Sequence, residues 1–540
     1  MAGLATVFGS GAMTNSIEEI IQADVIVMIG TNTTEAHPII AHSIKRAVEQ
    51  TRAKLVVVDP RHIDLVNQAN YWLRLRPGTD IAWLNGAMHW IIENNLHDKK
   101  FIEERCEGFD KLAALVKNYT PERVEQITGI APADLKAVAE LIARAKNATF
   151  LYCLGITEHT TGVDNVMSIS NLAMLTGNLG RPSTGVNPLR GQNNVQGACD
   201  MGCLPNVFPG YQPVNNPEIG KKFAAAWGAD SLPDKPGLTM TDLFPAATRG
   251  EVRGVYIMGE DPMVTDANTA HIEKALRSLE FLVVQDIFLT PTAKLAHVVL
   301  PASSWAEKDG TFTNTERRIQ RVRAAIPSVG DSLPDWQIVQ EIARRMGVRM
   351  NFSTSQEVWD EMRSLTPSYH GIAYSRLGKR GIQWPCPSLD HPGTQFLHAG
   401  GFPRGKGILT PIEYKPPIEG VDQEYPFTLM TGRMQYHYHG SMTRRSQPLN
   451  LLAPEALLEI SLEDASKLGI SDREMVAVSS RRGRIEIRAD VTKKLAPGML
   501  YTTFHFAETP VNRLTNDAMD PVARTPEFKK CAVRIEKLPV

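Results

Sequence analysis

The sequence predicts an α/β protein: two nucleotide-binding (Rossmann-like) α/β domains and a C-terminal β-barrel. Three observations carry this. Short apolar runs alternate with helical patterns through the first half of the chain, as in strands and helices layered around a sheet. A strand–Gly–helix–strand–Asp unit occurs twice at nearly the same length. The texture then changes after residue 420 to β-rich runs of alternating polarity, which predict a compact β domain of about 120 residues.

Strand candidates are DVIVMIG (24–30), KLVVVD (54–59), YWLRL (71–75) and TFLYCLG (149–155). Between them, residues 36–50 place Ile39, Ile40, Ile44 and Ala47 at helical spacing, as do residues 83–96 and the Pro-led 132–145 in their turn. The first repeat unit runs from Gly30 to Asp59, 29 residues on, and the second from Gly259 to Asp286, 27 residues on. A third strand follows each, YWLRL and then HVVLP (297–301). Glycine at a strand end lets a phosphate or base approach, the next helix N-terminus favours negative charge, and the Asp can accept from a ribose or guanine edge. One copy without GxGxxG favours plain sheet packing; two copies favour nucleotide binding. Helices are expected at 334–347 and 355–365, then a loop rich in Pro, Gly and His. In the tail, Ile485, Ile487, Ala489 and Val491 alternate with polar residues, and SLEDASKLG (461–469) has Ser461 as N-cap, Asp464 in the capping-box position and Gly469 as stop. The expected domains are 1–192, 193–330, 331–420 and 421–540.

Composition narrows the function classes. A length of 540 residues exceeds one core. A formal charge of −1 leaves no electrostatic footprint for nucleic acid or anionic lipid. The apolar runs are strand-sized, too short to insert in a membrane, and MAGLATVFGSGAM lacks the features of a signal peptide. Six scattered cysteines without a CxxC suggest a reducing cytoplasm. Cys199 and Cys203, four apart, read as packing thiols rather than as half of a metal site.

The segment NPLRGQNNVQGACDMGC (187–203) has one cation, Arg190, followed by Gln192, Asn193, Asn194 and Gln196, with Gly191 and Gly197 between. A guanidinium fork matches a carboxylate and stays charged at any working pH. Amides at that density suit a ligand-lined loop better than a plain surface turn. TGRMQYHYHGSMTRRS (431–446) gathers Arg433, His437, His439, Arg444 and Arg445. Two histidines spaced by two can share a strand face, but no third ligand is evident, and the cations suit pyrophosphate better than a metal. A solvated basic loop remains open there. Residues 303–320 read as a polar hairpin near a nucleotide. No GxSxG, HExxH, Walker A or zinc-finger spacing occurs.

GVNPLRGQNNVQGACDMG, preceded by GNLGRPSTG and followed by MGEDP and VVQDIF, resembles the catalytic subunit of molybdenum- or tungsten-dependent formate dehydrogenases, which are bis-molybdopterin guanine dinucleotide oxidoreductases. The resemblance spans essentially the whole chain, and GVNPLRGQNN is particular to the formate branch. It implies two guanine dinucleotide cofactors with Mo or W, with Arg190 on formate's carboxylate and Gln192 beside the pterin. It implies that Asp261, Thr265, Gln285, Asp286 and Asp335 line a dinucleotide; the repeat units themselves add Asn32, Asp59 and Gly259 as candidates for the same role. A barrel of double-psi type would add Arg433, His437, Tyr438, Asn512 and Lys529. The expected partners are formate, carbon dioxide and an iron–sulfur electron-transfer subunit. Members of the family begin with a cysteine-ligated four-iron cluster, then a selenocysteine or cysteine and a His. The start MAGLATVFGSGAMTNSI resembles the stretch just past that pair. The expectation is therefore a piece lacking cluster, metal ligand and His, from a selenoprotein whose in-frame UGA was taken as a stop or from a truncated cysteine-type enzyme. Alternatives are another molybdopterin oxidoreductase, such as a nitrate-reductase-like enzyme, or a cofactor-free structural homologue.

Overall fold

The computed structural model describes residues 1–438 and 442–538. The chain divides into two compact units, Met1–Leu189 with Val264–Thr269 and Phe396–Val540, and Arg190–Met263 with Ala270–Gln395. The fold class is the expected one: parallel α/β sheets and a closed C-terminal barrel.

In the first unit, β1 (Val25–Ile29), β2 (Lys54–Val58), β3 (Tyr71–Leu73), β4 (Ala148–Tyr152) and β5 (Gly185–Pro188) form a parallel sheet in the order β3-β2-β1-β4-β5. Both faces of β1 are covered: Val25, Val27 and Ile29 enter one apolar cluster with Trp83 and Ile142, while Ile26 and Met28 enter another with Ile40 and Ile44. Burial on both faces explains why β1 is a continuous apolar run instead of an alternating one. The order reverses between β1 and β4, so a crevice is expected outside their carboxyl ends. The helix expected over 36–50 is regular over Pro38–Arg46 and widens over Ala47–Thr51.

In the second unit, β6 (Gly254–Met258), β7 (Phe281–Asp286) and β8 (Val298–Pro301) make a parallel sheet of order β8-β7-β6, the same sequence of neighbours as β3-β2-β1. Phe244, Ala247, Ile272, Leu276, Leu282 and Val284 pack its helix-covered face. A hairpin of β9 (Gly310–Thr313) and β10 (Arg318–Val322) is extended by β11 (Ile382–Gln383). That pairing draws 331–395 into this unit, while 396–420 cluster with the first; the stretch expected as a separate connecting region is thus divided. Arg317, fully buried, reinforces it by donating to the carbonyls of Trp384, Thr394 and Gln395.

The first unit also contains the barrel. Its strands are β12 (Phe427–Gly432), β13 (Leu457–Ser461), β14 (Met475–Ser479), β15 (Arg484–Thr492), β16 (Met499–Thr503) and β17 (Cys531–Lys537), closing in the order β12-β16-β13-β15-β14-β17. Leu429, Leu458, Val476, Ile485, Leu500 and Val533 fill it. Ser461 caps the helix Leu462–Leu468 through the Asp464 N–H, and Gly469 ends it with φ of 65°. Among the described residues no helix is long and apolar enough to cross a membrane.

Candidate functional site

Within the first unit, polar groups gather where β1 and β4 end. Gly30 turns the chain with φ of 54°, and Thr31, Asn32 and Thr33 follow. The Thr31 and Thr33 hydroxyls and Asn32 Oδ1 are buried with no hydrogen-bond partner among the described residues. Leaving such a group unsatisfied costs about 1–3 kcal/mol, so a cluster of them signals a ligand or ordered water. The barrel supplies more. Arg433 Nη1 donates to the Ala36 carbonyl at 3.3 Å, while its Nε is buried and without such a partner. Burial also lowers the Arg433 pKa. Thr502 and Thr503, opposite Thr431 and Gly432 in the barrel register, have buried hydroxyls of the same kind. Asn512 donates to the carbonyls of Val264 (3.3 Å) and Thr265 (3.0 Å), and its own Oδ1 is buried with no partner among the described residues. The structure thus brings Arg433 onto the short helix Thr33–Ala36 that follows Asn32, and Thr265 onto Asn512.

The other expected residues of this unit are already engaged. Lys529 pairs with Glu158 at 2.8 Å and donates to the Thr431 carbonyl. His437 is fully buried, with Nε2 at 2.8 Å from the Ala453 carbonyl and Nδ1 at 3.2 Å from the Thr443 hydroxyl. The Tyr438 N–H donates to that same hydroxyl. Its expected strand-mate His439 lies outside the described residues. Asp59 accepts from the Arg61 N–H at 2.9 Å, and burial pushes its pKa up to about 6. Arg61 in turn grips Glu459 with both arms, at 2.5 and 2.7 Å, and lies over the Tyr501 ring.

The second unit holds Arg190, Gln192, Gly259, Asp261, Gln285, Asp286 and Asp335. Arg190 is half-buried; its N–H donates to the Thr315 hydroxyl, and its charge lowers the pKa of Cys199 and Tyr211 against a larger rise from burial. The amides after it do not act alike. Gln192 and Asn193 are exposed. Asn194 Oδ1 accepts from the Thr313 N–H, and Gln196 is buried, donating to Asp200 and Tyr211. The reading of all four as a ligand-lined loop therefore narrows to the first two. Asp261 accepts from the N–H and hydroxyl of Thr292, and Asp286 from the Phe288 N–H; both hold loops at strand ends. Gln285 donates to Asp335 at 2.7 Å and receives the Tyr256 hydroxyl, and Lys308 contacts the other Asp335 oxygen. Asp335 and Lys308 face a cavity of about 350 Å³ walled by Trp305, Trp336, Trp359 and Tyr374. Gly259 has φ of 67° with open space where a Cβ would stand.

Several residues escaped the sequence reading. Asp200 is fully buried under hydrogen bonds from Gln196, Tyr211 and Trp384; its only sequence signal was an acid inside a segment of small and amide residues. Gly155, Tyr501 and His505 sat within runs legible only as strand or turn. Among the described residues no group of three His, Cys, Asp or Glu side chains lies together as a metal would need. The six cysteines are free thiols.

Residues 3–345 match the family model Molybdopterin oxidoreductase, and 427–532 match Molydopterin dinucleotide binding domain. The chain is 50% identical over 543 residues to F420-dependent formate dehydrogenase 2 subunit alpha of Methanococcus maripaludis, covering 100% of this chain and 80% of that one. It is 44% identical to formate dehydrogenase H of Escherichia coli, covering 100% and 76%. In fold it is similar to acetylene hydratase from Pelobacter acetylenicus, with a TM-score of 0.80 at 19% identity, covering 99% of this chain and 80% of that one.

Proposed function

The chain belongs to the molybdopterin oxidoreductase family, and from that premise we propose that it binds the dinucleotides and the substrate as a formate dehydrogenase catalytic subunit does. One observation carries the reading furthest: the buried polar atoms of Thr31, Asn32, Thr33, Arg433, Thr502, Thr503 and Asn512 that no described residue satisfies. A folded chain tolerates such a set when a polar ligand completes it. The set mixes donors and acceptors, one guanidinium with hydroxyls and amide oxygens, which fits a pyrophosphate flanked by hydroxylated rings. In the second unit, the Asp335 carboxylate lines a cavity, held by Gln285 and Lys308, and is the group suited to a guanine edge. Two repeat units support two dinucleotides.

The reaction is HCOO⁻ → CO₂ + H⁺ + 2e⁻. A bound metal–pterin group would supply the acceptor for the electron pair, and an iron–sulfur electron-transfer subunit in the cytoplasm is the partner proposed for this chain. The role of Arg190 follows from charge. Its guanidinium attracts formate, a planar monoanion with two equivalent oxygens, and has no comparable hold on neutral carbon dioxide. Substrate is held and product let go by the same group. Gln192, exposed two residues on, is available to a ring amide of the pterin.

The test is to purify the protein after anaerobic expression with molybdate or tungstate and to measure released GMP and pterin fluorescence. About two GMP per chain are expected. A well-folded preparation free of both would overturn the proposal in favour of a structural homologue. Turnover of nitrate without formate would move it to another branch of the family.

A further inference from the structure

The segment carrying Arg433, His437 and Tyr438 leaves the barrel at the end of β12, and its backbone is held at three points by two side chains from one strand end. The Tyr501 hydroxyl donates to the Arg433 carbonyl at 3.0 Å. The Met434 N–H donates to His505 Nε2 at 3.2 Å. His505 Nδ1 lies 3.1 Å from the Tyr438 carbonyl. An imidazole nitrogen that accepts an N–H cannot carry a proton, and one that faces a carbonyl must carry one. The pair of contacts therefore requires a single species, neutral His505 protonated on Nδ1.

Its surroundings enforce that species. His505 is fully buried, and among the described residues the titratable groups facing it include the cations Arg433 and Lys529 and the ring of His437. Burial, with these neighbours, pushes its pKa down to about 3. An imidazolium would lose the Met434 contact and add a third positive charge to those of Arg433 and Lys529.

We infer that His505 is a positioning residue: as a neutral, Nδ1-protonated imidazole it clamps both ends of the 434–438 segment and so presents Arg433 and Tyr438 to the dinucleotide. The inference rests on the proposed function for the identity of the ligand, though not for the clamp. The clamp differs from the neighbouring contacts of His437, which fix that side chain to Ala453 and Thr443 within its own segment.

The experiment compares hydrogen–deuterium exchange and retained pterin in the full chain and in His505→Ala, His505→Gln and His505→Asn, each purified after expression with molybdate or tungstate. His505→Ala is expected to raise exchange in a peptide covering 433–438 at least tenfold, with β14 unchanged, and to lower retained pterin severalfold. Gln places its oxygen near the Nε2 position and is expected to restore Met434 protection in part; Asn places its amide near Nδ1 and is expected not to. If exchange at 433–438 is unchanged in His505→Ala, or if the segment loosens while pterin content stays at the parent level, the inference is overturned. A parent protein that carries no pterin would count against the proposed function, and the clamp would then stand or fall on the exchange result alone.

Discussion

Gly30 and Gly155 meet backbone to backbone at the carboxyl ends of β1 and β4: the Gly155 N–H donates to the Gly30 carbonyl at 3.1 Å. A Cβ on Gly30 would stand 2.8 Å from the Gly155 carbonyl carbon, and one on Gly155 would stand 2.5 Å from the Gly30 oxygen. The strand-end glycine thus serves first to let the chain approach itself, at the point where the order of the sheet reverses.

Substitution there is expected to cost more than at the matching glycine of the second repeat. Gly30→Ala combines a left-handed φ, worth about 1–2 kcal/mol, with backbone overlap that forces the strand ends apart, so a total above about 2 kcal/mol is expected. Gly259→Ala meets no atom within 4 Å and is expected to cost only the left-handed term, about 1–2 kcal/mol. Urea unfolding midpoints of the two variants check the ordering; equal losses would show that the Gly30–Gly155 contact is not what demands glycine.

Asp200 gives a second stability prediction. Its carboxylate receives Gln196 at 2.7 Å, the Tyr211 hydroxyl at 2.8 Å and Trp384 Nε1 at 2.9 Å. Burial raises its pKa, and these hydrogen bonds oppose the rise. Asp200→Asn turns one acceptor into a donor amid donors. The expected loss is about 3 kcal/mol, within the range for breaking a buried charged network. An unfolding midpoint equal to the parent's would show that the network bears no load.

These residues also mark what was legible in the sequence. β1 and its repeat counterpart β6 were visible because VIVMIG and GVYIMG are local patterns at matching distances from an Asp. The barrel showed through the alternation at Ile485, Ile487 and Ala489, which is likewise local. The fate of 331–420 was not, because a two-residue strand, Ile382–Gln383, pairs with a partner some sixty residues earlier and carries no periodicity of its own. Within RGQNNVQ the residue types were informative but their directions were not: Gln192 faces out and Gln196 faces Asp200, a difference set by the helix Val195–Asp200. His505 and Tyr501 lay in MLYTTFHF, where an apolar strand pattern hides polar atoms whose partners lie just past the end of the neighbouring strand β12.

A buried carboxyl yields a pH prediction. Asp80 begins the helix Asp80–Glu93 and is 6% exposed; burial pushes its pKa from 3.8 to about 6, with His159 nearby opposing the shift. The folded state therefore binds this proton more tightly than the unfolded chain. The stability it contributes is complete below pH 3.8 and is lost as pH rises through 6, a change of about 3 kcal/mol for one such group. Asp80→Asn cannot ionise and is expected to lose that dependence, gaining on the parent progressively from pH 4 to pH 7. Unfolding free energies measured across that range decide it: parallel curves for parent and variant would mean that Asp80 titrates in the folded protein as it does in the unfolded one.

Arg190 supplies the prediction closest to the chemistry. If its guanidinium holds formate, the loss on substitution should separate charge from geometry. Arg190→Lys keeps a cation but has no planar fork to match two carboxylate oxygens. Arg190→Gln keeps a polar side chain and removes the charge. A charge-assisted hydrogen bond contributes about 1.5–3 kcal/mol, and each 1.4 kcal/mol is roughly tenfold. In the cofactor-loaded enzyme, kcat/KM for formate is therefore expected to fall about tenfold for Lys and about a hundredfold for Gln, mostly through KM. Raising ionic strength should weaken the Lys variant more than the parent, because a point charge lacking the fork depends more on screened attraction. Variants that keep the parent KM would place the substrate carboxylate elsewhere and leave Arg190 a structural cation anchored through its backbone to Thr315.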